Sequence, residues 1–211
     1  MIDYKELISS LKEEDFTLGH VNLHVHTNYS DGHGDFNTLV REAEEKNFKY
    51  ISITDHNTMN GYEECECANS KILIPGIEFD VWCGFVFIHL LAYGVDKNNE
   101  ELKSFFAKTK HETEWNIIRL LPKRNIKKLI QTIHNAGGIA VLAHPACCLC
   151  FSLDRLVKKL TSLGLDGIEA YYPYPRFRRF AKFHKSGTAQ KLAKKYNLIV
   201  TGGTDLHKTN F

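Results

Sequence analysis

Apolar residues recur along this chain in two rhythms, one of period two and one close to the helical period. Val21–His26 reads as a strand with Val21, Leu23 and Val25 on one face and Asn22, His24 and His26 on the other, because residues two apart share a face. Tyr50–Thr54, Phe85–Tyr93, Ile139–Ala143, Gly167–Tyr171 and Leu198–Thr201 predict further strands. Lys71–Ile74 and Glu78–Trp82 read as extended segments broken at Pro75-Gly76. Between them the spacing predicts helices over Asn37–Asn47, Thr58–Asn69, Asn98–Leu121, Ile126–Asn135, Leu153–Leu163 and Arg176–Tyr196, the last with a break near Gly187. Strands alternating with helices imply an α/β fold with a largely parallel sheet. With about seven strands, the first carrying ligand-type side chains, a closed or distorted barrel fits better than an open doubly wound sheet. No G-x-G-x-x-G follows the first strand, so the usual dinucleotide signature is missing.

Composition narrows the class. The 211 residues suit one domain, expected over 20–211 behind a helical lead-in at 1–19, and are enough to bury a sizeable core. The 27 basic and 25 acidic residues leave a charge of +2, so net charge argues for no polyanionic partner. No apolar run approaches the roughly 20 residues of a membrane span, and the charged start MIDYKELISSLKEEDF has no signal-peptide core; a cytoplasmic protein is expected. The six cysteines (65, 67, 83, 147, 148, 150) are expected to be reduced thiols, since Cys65-x-Cys67 and Cys148-x-Cys150 lack the C-x₂-C spacing of zinc knots. Cys147, Cys148 and Cys150 lie just past His144, where they line a loop or supply a soft ligand.

The chemistry sits at strand ends: His24, His26, Asp31, Asp55, His56, Glu78, His89, His144, Glu169, Asp205 and His207. Each has a bland reading by itself. An isolated H-x-H is a weak signal, His89 suits a core histidine, His144 before Pro145 a strand cap and Asp205 a turn cap. Jointly they do not, because so many unpaired polar groups at the ends of apolar strands would be costly to desolvate without a shared partner. In an α/β barrel the carboxyl ends of the strands meet on one face, and imidazole with carboxylate suits Zn²⁺, Mn²⁺ or Fe²⁺. His20, His33, His111, His134 and His184 have no strand-end position and read as surface or helix residues.

At HVHTNYSDG, TDHNT, PGIEF, HLLAYG, GGIAVLAHP, GIEAYYP and GGTDLH, taken in order from residue 20 onward, the chain resembles the PHP (polymerase and histidinol phosphatase) superfamily, in its stand-alone metal-dependent phosphoesterase branch. The resemblance implies a distorted seven-stranded (β/α)7 barrel with a trinuclear centre holding two to three divalent ions (Mn, Fe or Zn). It implies that His24 and His26 bind one metal, with Glu78 bridging to a second that His89 and His144 complete. Asp31, His56 and His207 would form the third site, and Asp205 would sit between the first and third. Asp55 is expected behind the ligands as a hydrogen-bonding partner. Glu78 and Asp205 would carry catalysis through a metal-bridging hydroxide. Asp31 falls in an SDG motif where histidinol phosphatase relatives tend to carry His, which favours the general phosphoesterase branch. The chain stops four residues after His207 and Lys97–Asn135 is brief for the branch, so a compact or shortened variant is expected.

For substrate contacts, Tyr171–Lys195 interleaves aromatic and basic residues and carries no acidic one. It reads either as a nucleotide-binding segment, with Arg176 and Arg178 as contacts, or as a solvated helix face. The leading expectation is a phosphatase hydrolysing a phosphate monoester of a small metabolite or nucleotide. The alternatives are a metal-dependent 5′-end exonuclease on RNA or short oligonucleotides, a histidinol-phosphate phosphatase, and a non-catalytic scaffold module. An amidohydrolase fits less well, since no lysine falls at a strand end to bridge two metals. Oligomeric state is left open.

Overall fold

The computed structural model describes residues 2–121, 123–173, 183–185 and 187–211. Its strands are β1 (Val21–Val25), β2 (Tyr50–Ile53), β3 (Gly76–Cys83), β4 (Val86–Tyr93), β5 (Ile139–Leu142), β6 (Gly167–Tyr171) and β7 (Ile199–Gly202). They form two sheets, a parallel β1-β2 pair and a five-stranded sheet in the order β3-β4-β5-β6-β7.

The closed barrel expected above is not what the described residues show. The edges of the two sheets meet only through isolated bridges, Val25 with Leu206, Ile51 with Leu73 and His56 with Glu78. β1 and β2 are brief, and the β1-β2 register shifts between Asn22 and Val25, so no continuous ladder forms there. Nor is the larger sheet mainly parallel: β3-β4 and β4-β5 are antiparallel, while β5-β6 and β6-β7 are parallel. The cause is local. Cys83 pairs with Val86 across Gly84-Phe85, and Gly84 takes φ +69°, so a tight hairpin replaces the long crossover that a parallel pair needs.

Three helices form much as their periodicity predicts, each opened by a side-chain cap. Asp35 caps Phe36–Glu45, Asn125 caps Ile126–Asn135 and Ser152 caps Leu153–Ser162, each accepting from the backbone N–H three residues on. Their apolar stripes (Leu39, Val40 and Ala43; Leu129, Ile130 and Ile133; Leu156, Val157 and Leu160) are buried in the main core with Ile77, Phe79, Leu90 and Leu142. A helix over Thr58–Asn69 is reduced to Asn60–Glu64 and a 3₁₀ turn at Glu66–Asn69. The long helix expected over Asn98–Leu121 is instead three single-turn helices, Glu100–Lys103, His111–Glu114 and Asn116–Arg119. Tertiary bonds override propensity in that stretch. Ala107 N–H donates to the Asn57 carbonyl, and Asn57 Nδ2 donates to the Glu112 carbonyl.

The opposite faces of the same strands point inward. Leu91 and Tyr93 on β4 and Ile139 and Val141 on β5 join Val21, Leu23, Ile74, Ala143 and Ile8 in a second, smaller apolar cluster. Ile8 comes from the N-terminal helix Tyr4–Ser9. Further along these inner faces the residues turn polar: His89 on β4, Glu78 and Asp80 on β3, Glu169 on β6. One end of the interior is therefore an apolar plug and the other a polar chamber.

Candidate metal centre

Glu78 lies at the middle of the chamber. Its Oε1 is 3.3 Å from His24 Nε2, 3.1 Å from His89 Nδ1 and 3.3 Å from His144 Nε2. Its Oε2 is 3.2 Å from His26 Nε2 and 3.3 Å from His56 Nε2. One buried carboxylate thus faces imidazoles on β1 and β4 and others just past the ends of β1, β2 and β5. Asp205 Oδ1 adds a second contact, 3.6 Å from His24 Nε2 and 3.2 Å from His26 Nε2, with His207 Nδ1 at 3.3 Å. Asp31 Oδ1 lies 3.1 Å from His207 Nε2, 3.7 Å from His26 Nδ1 and 3.8 Å from His56 Nε2. All nine residues expected as ligands are therefore brought together.

The grouping is tighter than the expected three-way split. His26, Asp31, His56 and His207 converge, as do His24, His26 and Glu78, and His56, Glu78 and His89, each set with donor atoms within 4.8 Å of one another. His26 and His56 each belong to two sets, where the sequence reading gave each to one. His24 Nε2 and His26 Nε2 also face each other at 3.1 Å, and His89 Nδ1 and His144 Nε2 at 3.2 Å. Two ring nitrogens at that separation need a proton or a cation between them. The donor set fits borderline divalent cations, so the residues present suit the metals that the sequence implies.

The electrostatics agree. Burial alone would lower the pKa of His24, but Glu78, Glu169 and Asp205 outweigh it and hold it well above the ordinary value. Burial likewise opposes protonation of His26, yet Asp205 and Glu78 push it up to about 10. His144 is also raised to about 10, against burial, by Cys147 and Glu78. Glu78 and Asp205 are driven well below the carboxylate range although burial pushes the other way, because imidazoles surround them. His56 is the exception. Burial, followed by the Arg119 charge, holds it well below its usual value.

Other residues hold these groups in place. Asp55, the partner expected behind the ligands, accepts from Thr27 N–H at 2.7 Å, Thr27 Oγ1 at 2.6 Å and Ser30 Oγ at 2.5 Å. It thereby fixes the loop between His26 and Asp31. Backbone strain marks the site as well: His144 and Asp205 take φ +24° and +50°, and Asn57 φ +56°. A Cβ at Gly203 would run into the Cβ and backbone N of His24, so only glycine lets that strand end pass over β1.

Sequence reasoning missed four contributors. Glu169 stood among the strand-end residues without a role; its Oε1 is 3.0 Å from His24 Nδ1 and its Oε2 accepts His144 N–H at 2.7 Å. Asp80 is fully buried and contacts His56 and His89; its place two residues past Glu78 on one strand was the available signal. Tyr172 donates its hydroxyl to Asp205 Oδ2 at 2.7 Å. Arg119 is almost wholly buried, with Nη2 3.4 Å from Asp31 Oδ2 and Nε 3.9 Å from Asp80 Oδ2. Nothing in its local pattern distinguished it from a surface arginine. Arg176 and Arg178, the expected substrate contacts, lie outside the described residues.

Residues 22–144 match the sequence profile of the PHP domain. The chain belongs to the PHP family. Among its relatives is the phosphoribosyl 1,2-cyclic phosphate 1,2-diphosphodiesterase of Eggerthella lenta, 23% identical in an alignment that covers 88% of this chain and 93% of the relative. A second is a 5′-3′ exoribonuclease of Haemophilus influenzae, 22% identical, covering 70% of this chain and 77% of the relative. Among solved structures, a Bifidobacterium adolescentis protein described as a metal-dependent phosphoesterase aligns with TM-score 0.72 at 22% identity, covering 90% of this chain and 88% of that one. A Chromobacterium violaceum protein described as an amidohydrolase aligns with TM-score 0.67 at 19% identity, with the same coverage. At these identities the structural matches establish a shared fold. The family assignment stands beside grouped imidazole and carboxylate side chains that could hold metal ions. None of its helices among the described residues is long and apolar enough to cross a membrane.

Proposed function

We propose that this protein is a phosphatase that hydrolyses a phosphate monoester of a small metabolite or nucleotide, with two to three divalent ions (Mn, Fe or Zn) held by His24, His26, Asp31, His56, Glu78, His89, His144, Asp205 and His207. The observation that carries the reading is the convergence of imidazoles and carboxylates from separate strands on Glu78. When bound, such ions supply Lewis-acid polarisation of phosphoryl oxygens and activate water near neutral pH.

The chain's own residues do the rest. Glu78 and Asp205 hold the ligand imidazoles in register, and their negative charge favours cation loading. Arg119 brings a permanent positive charge beside Asp31, where a planar guanidinium suits phosphoryl oxygens. His207 is the most exposed of the clustered imidazoles, with 28% of its side chain accessible. Substrate therefore approaches from the His207 and Asp31 side. A cytoplasmic setting agrees with the six free thiols.

A second reading is removal of nucleotides from RNA 5′ ends, favoured by the resemblance to the Haemophilus exoribonuclease. Both named relatives act on ribose-phosphate compounds, one a cyclic phosphate of a phosphoribosyl group. The test is phosphate release from sugar phosphates, histidinol phosphate, nucleotides and nucleoside bisphosphates, with Mn²⁺ and with chelator. Chelator-sensitive release, lost in Glu78→Gln and Asp205→Asn, supports the phosphatase. No release, with shortening of 5′-phosphorylated RNA, transfers the reading to RNA ends. Inertness of a metal-loaded sample on both leaves a non-catalytic module.

A further inference from the structure

Asp80 stands behind two of the clustered imidazoles at once. Its Oδ1 lies 3.4 Å from His56 Nδ1 and 3.1 Å from His89 Nε2. The other nitrogen of each ring faces Glu78: His56 Nε2 is 3.3 Å from Oε2 and His89 Nδ1 is 3.1 Å from Oε1. Each imidazole thus lies between the central carboxylate and Asp80. The two rings come from different elements, one just past β2 and the other from β4, and His56 also belongs to the set with His26, Asp31 and His207.

Asp80 is itself firmly held. Its Oδ2 accepts from Asn57 Nδ2 at 2.5 Å, and its backbone N–H donates to Asn57 Oδ1 at 3.0 Å. Its carbonyl accepts from Arg124 Nη1 at 3.0 Å, and Arg119 Nε stands 3.9 Å from Oδ2. As the rings stand, neither Asp80 Oδ1 nor His56 Nδ1 has a hydrogen-bond partner among the described residues; a carboxylate oxygen has two lone pairs, so this buried Oδ1 is open to an N–H from each ring once a cation turns them. A carboxylate behind a ligand histidine fixes which ring nitrogen keeps its proton and which offers a lone pair.

We infer that Asp80 is a shared positioning residue that sets the tautomers of His56 and His89 together and so couples cation binding at the Asp31–His56 side of the centre to binding at the Glu78–His89 side. The inference rests on the reading of these clusters as metal sites. It requires His56 to keep its proton on Nδ1 and present Nε2, and His89 to keep its proton on Nε2 and present Nδ1. The two histidines therefore use opposite nitrogens. A cation that turns one ring onto the fixed Asp80 Oδ1 gives that buried oxygen its first N–H and leaves its second lone pair for the other ring.

The test uses the full chain, stripped with chelator and titrated with Mn²⁺ by calorimetry. His56→Gln leaves the Glu78–His89 side, and His89→Gln leaves the Asp31–His56 side. Adding Asp80→Asn is expected to weaken Mn²⁺ binding about ten-fold or more in both backgrounds, with the circular dichroism spectrum unchanged. Weakening in one background only, or in neither, overturns the shared role. Nitrogen-15 spectra of the Zn²⁺-loaded wild type give an answer that does not depend on how the variants fold. Protonated His56 Nδ1 and His89 Nε2 are expected, and the reverse tautomer in either ring overturns the inference. Tight uptake with the wrong tautomers sinks this proposal alone, whereas a wild type that takes up no metal sinks the reading of the site and this proposal with it.

Discussion

Glu169 binds two parts of the centre with its two oxygens: Oε1 lies 3.0 Å from His24 Nδ1, and Oε2 accepts the backbone N–H of His144 at 2.7 Å. It is completely buried, so its charge is little screened by solvent, and it touches two of the proposed ligands without joining any donor cluster. Glu169→Gln keeps the shape and a weaker acceptor but removes the charge that holds the His24 ring. Metal affinity is expected to fall about 10- to 100-fold with the secondary structure unchanged. Calorimetric titration of stripped protein checks this; affinity equal to wild type would show that His24 is oriented by other contacts.

The charges around Glu78 make the metal-free protein sensitive to alkali. His26 and His144 are raised to about 10 in the folded chain from an ordinary 6.5. Groups raised on folding contribute stability that is fully present below the unfolded value, near pH 6.5, and is lost as pH climbs through about 10. Glu78 and Asp205 are lowered, so their contribution is present above the ordinary carboxylate range and is lost as pH falls. His56 is lowered, so it costs stability below about pH 6.5; the stripped protein is therefore expected to melt highest near pH 6.5 and progressively lower from pH 7 to 10. Bound cations replace the imidazole protons, so a metal-loaded sample loses this alkaline decline. Scanning calorimetry across that range, with and without chelator, decides it; parallel curves for the two samples would contradict the charge assignment.

How far the sequence foretold this site depended on what kind of contact placed each residue. His24 and His26 were legible because a strand's alternation puts residues two apart on one face; His56 and His144 follow the ends of β2 and β5 as read, whereas Glu78 lies inside β3. Asp80 obeyed that rule and was passed over, since an acidic residue between Phe79 and Val81 also suits a solvent-facing position. Arg119 was out of reach. It arrives through single-turn helices held by Asn57 and Arg124, long-range bonds that no local period encodes. The barrel expectation failed in a similar way: most strand segments were readable from local period, but ladder closure depends on pairing between residues far apart, such as Val25 with Leu206.

Arg119 provides the clearest kinetic prediction. Its guanidinium stands beside Asp31 and Asp80 in a nearly water-free setting, where a fixed charge acts strongly on a phosphoryl group. Arg119→Ala is expected to lower kcat/KM for the best phosphate ester by about 100-fold or more. Arg119→Lys should restore little of it, because a point charge cannot reproduce the planar fork. Steady-state kinetics on metal-loaded protein measure both, and wild-type values in the alanine variant would remove Arg119 from the substrate site.

Gly203 tests whether the centre depends on close backbone approach. At this position a Cβ would meet the Cβ and backbone N of His24, atoms of a buried strand with no room to retreat. Gly203→Ala must therefore push β1 and the segment carrying Asp205 apart, a kind of overpacking that costs about 1–3 kcal/mol. The displacement also separates His24 from Asp205 Oδ1, now 3.6 Å apart, so metal affinity should fall with stability. Gly187→Ala is the matched control: among the described residues nothing lies within 4 Å of its Cβ position, and it should melt and bind like wild type. Thermal melts and Mn²⁺ titrations of the two variants side by side give the answer. If Gly203→Ala proves as harmless as Gly187→Ala, the contact with His24 is looser than the packing implies, and Asp205 is positioned by Tyr172 and the imidazoles alone.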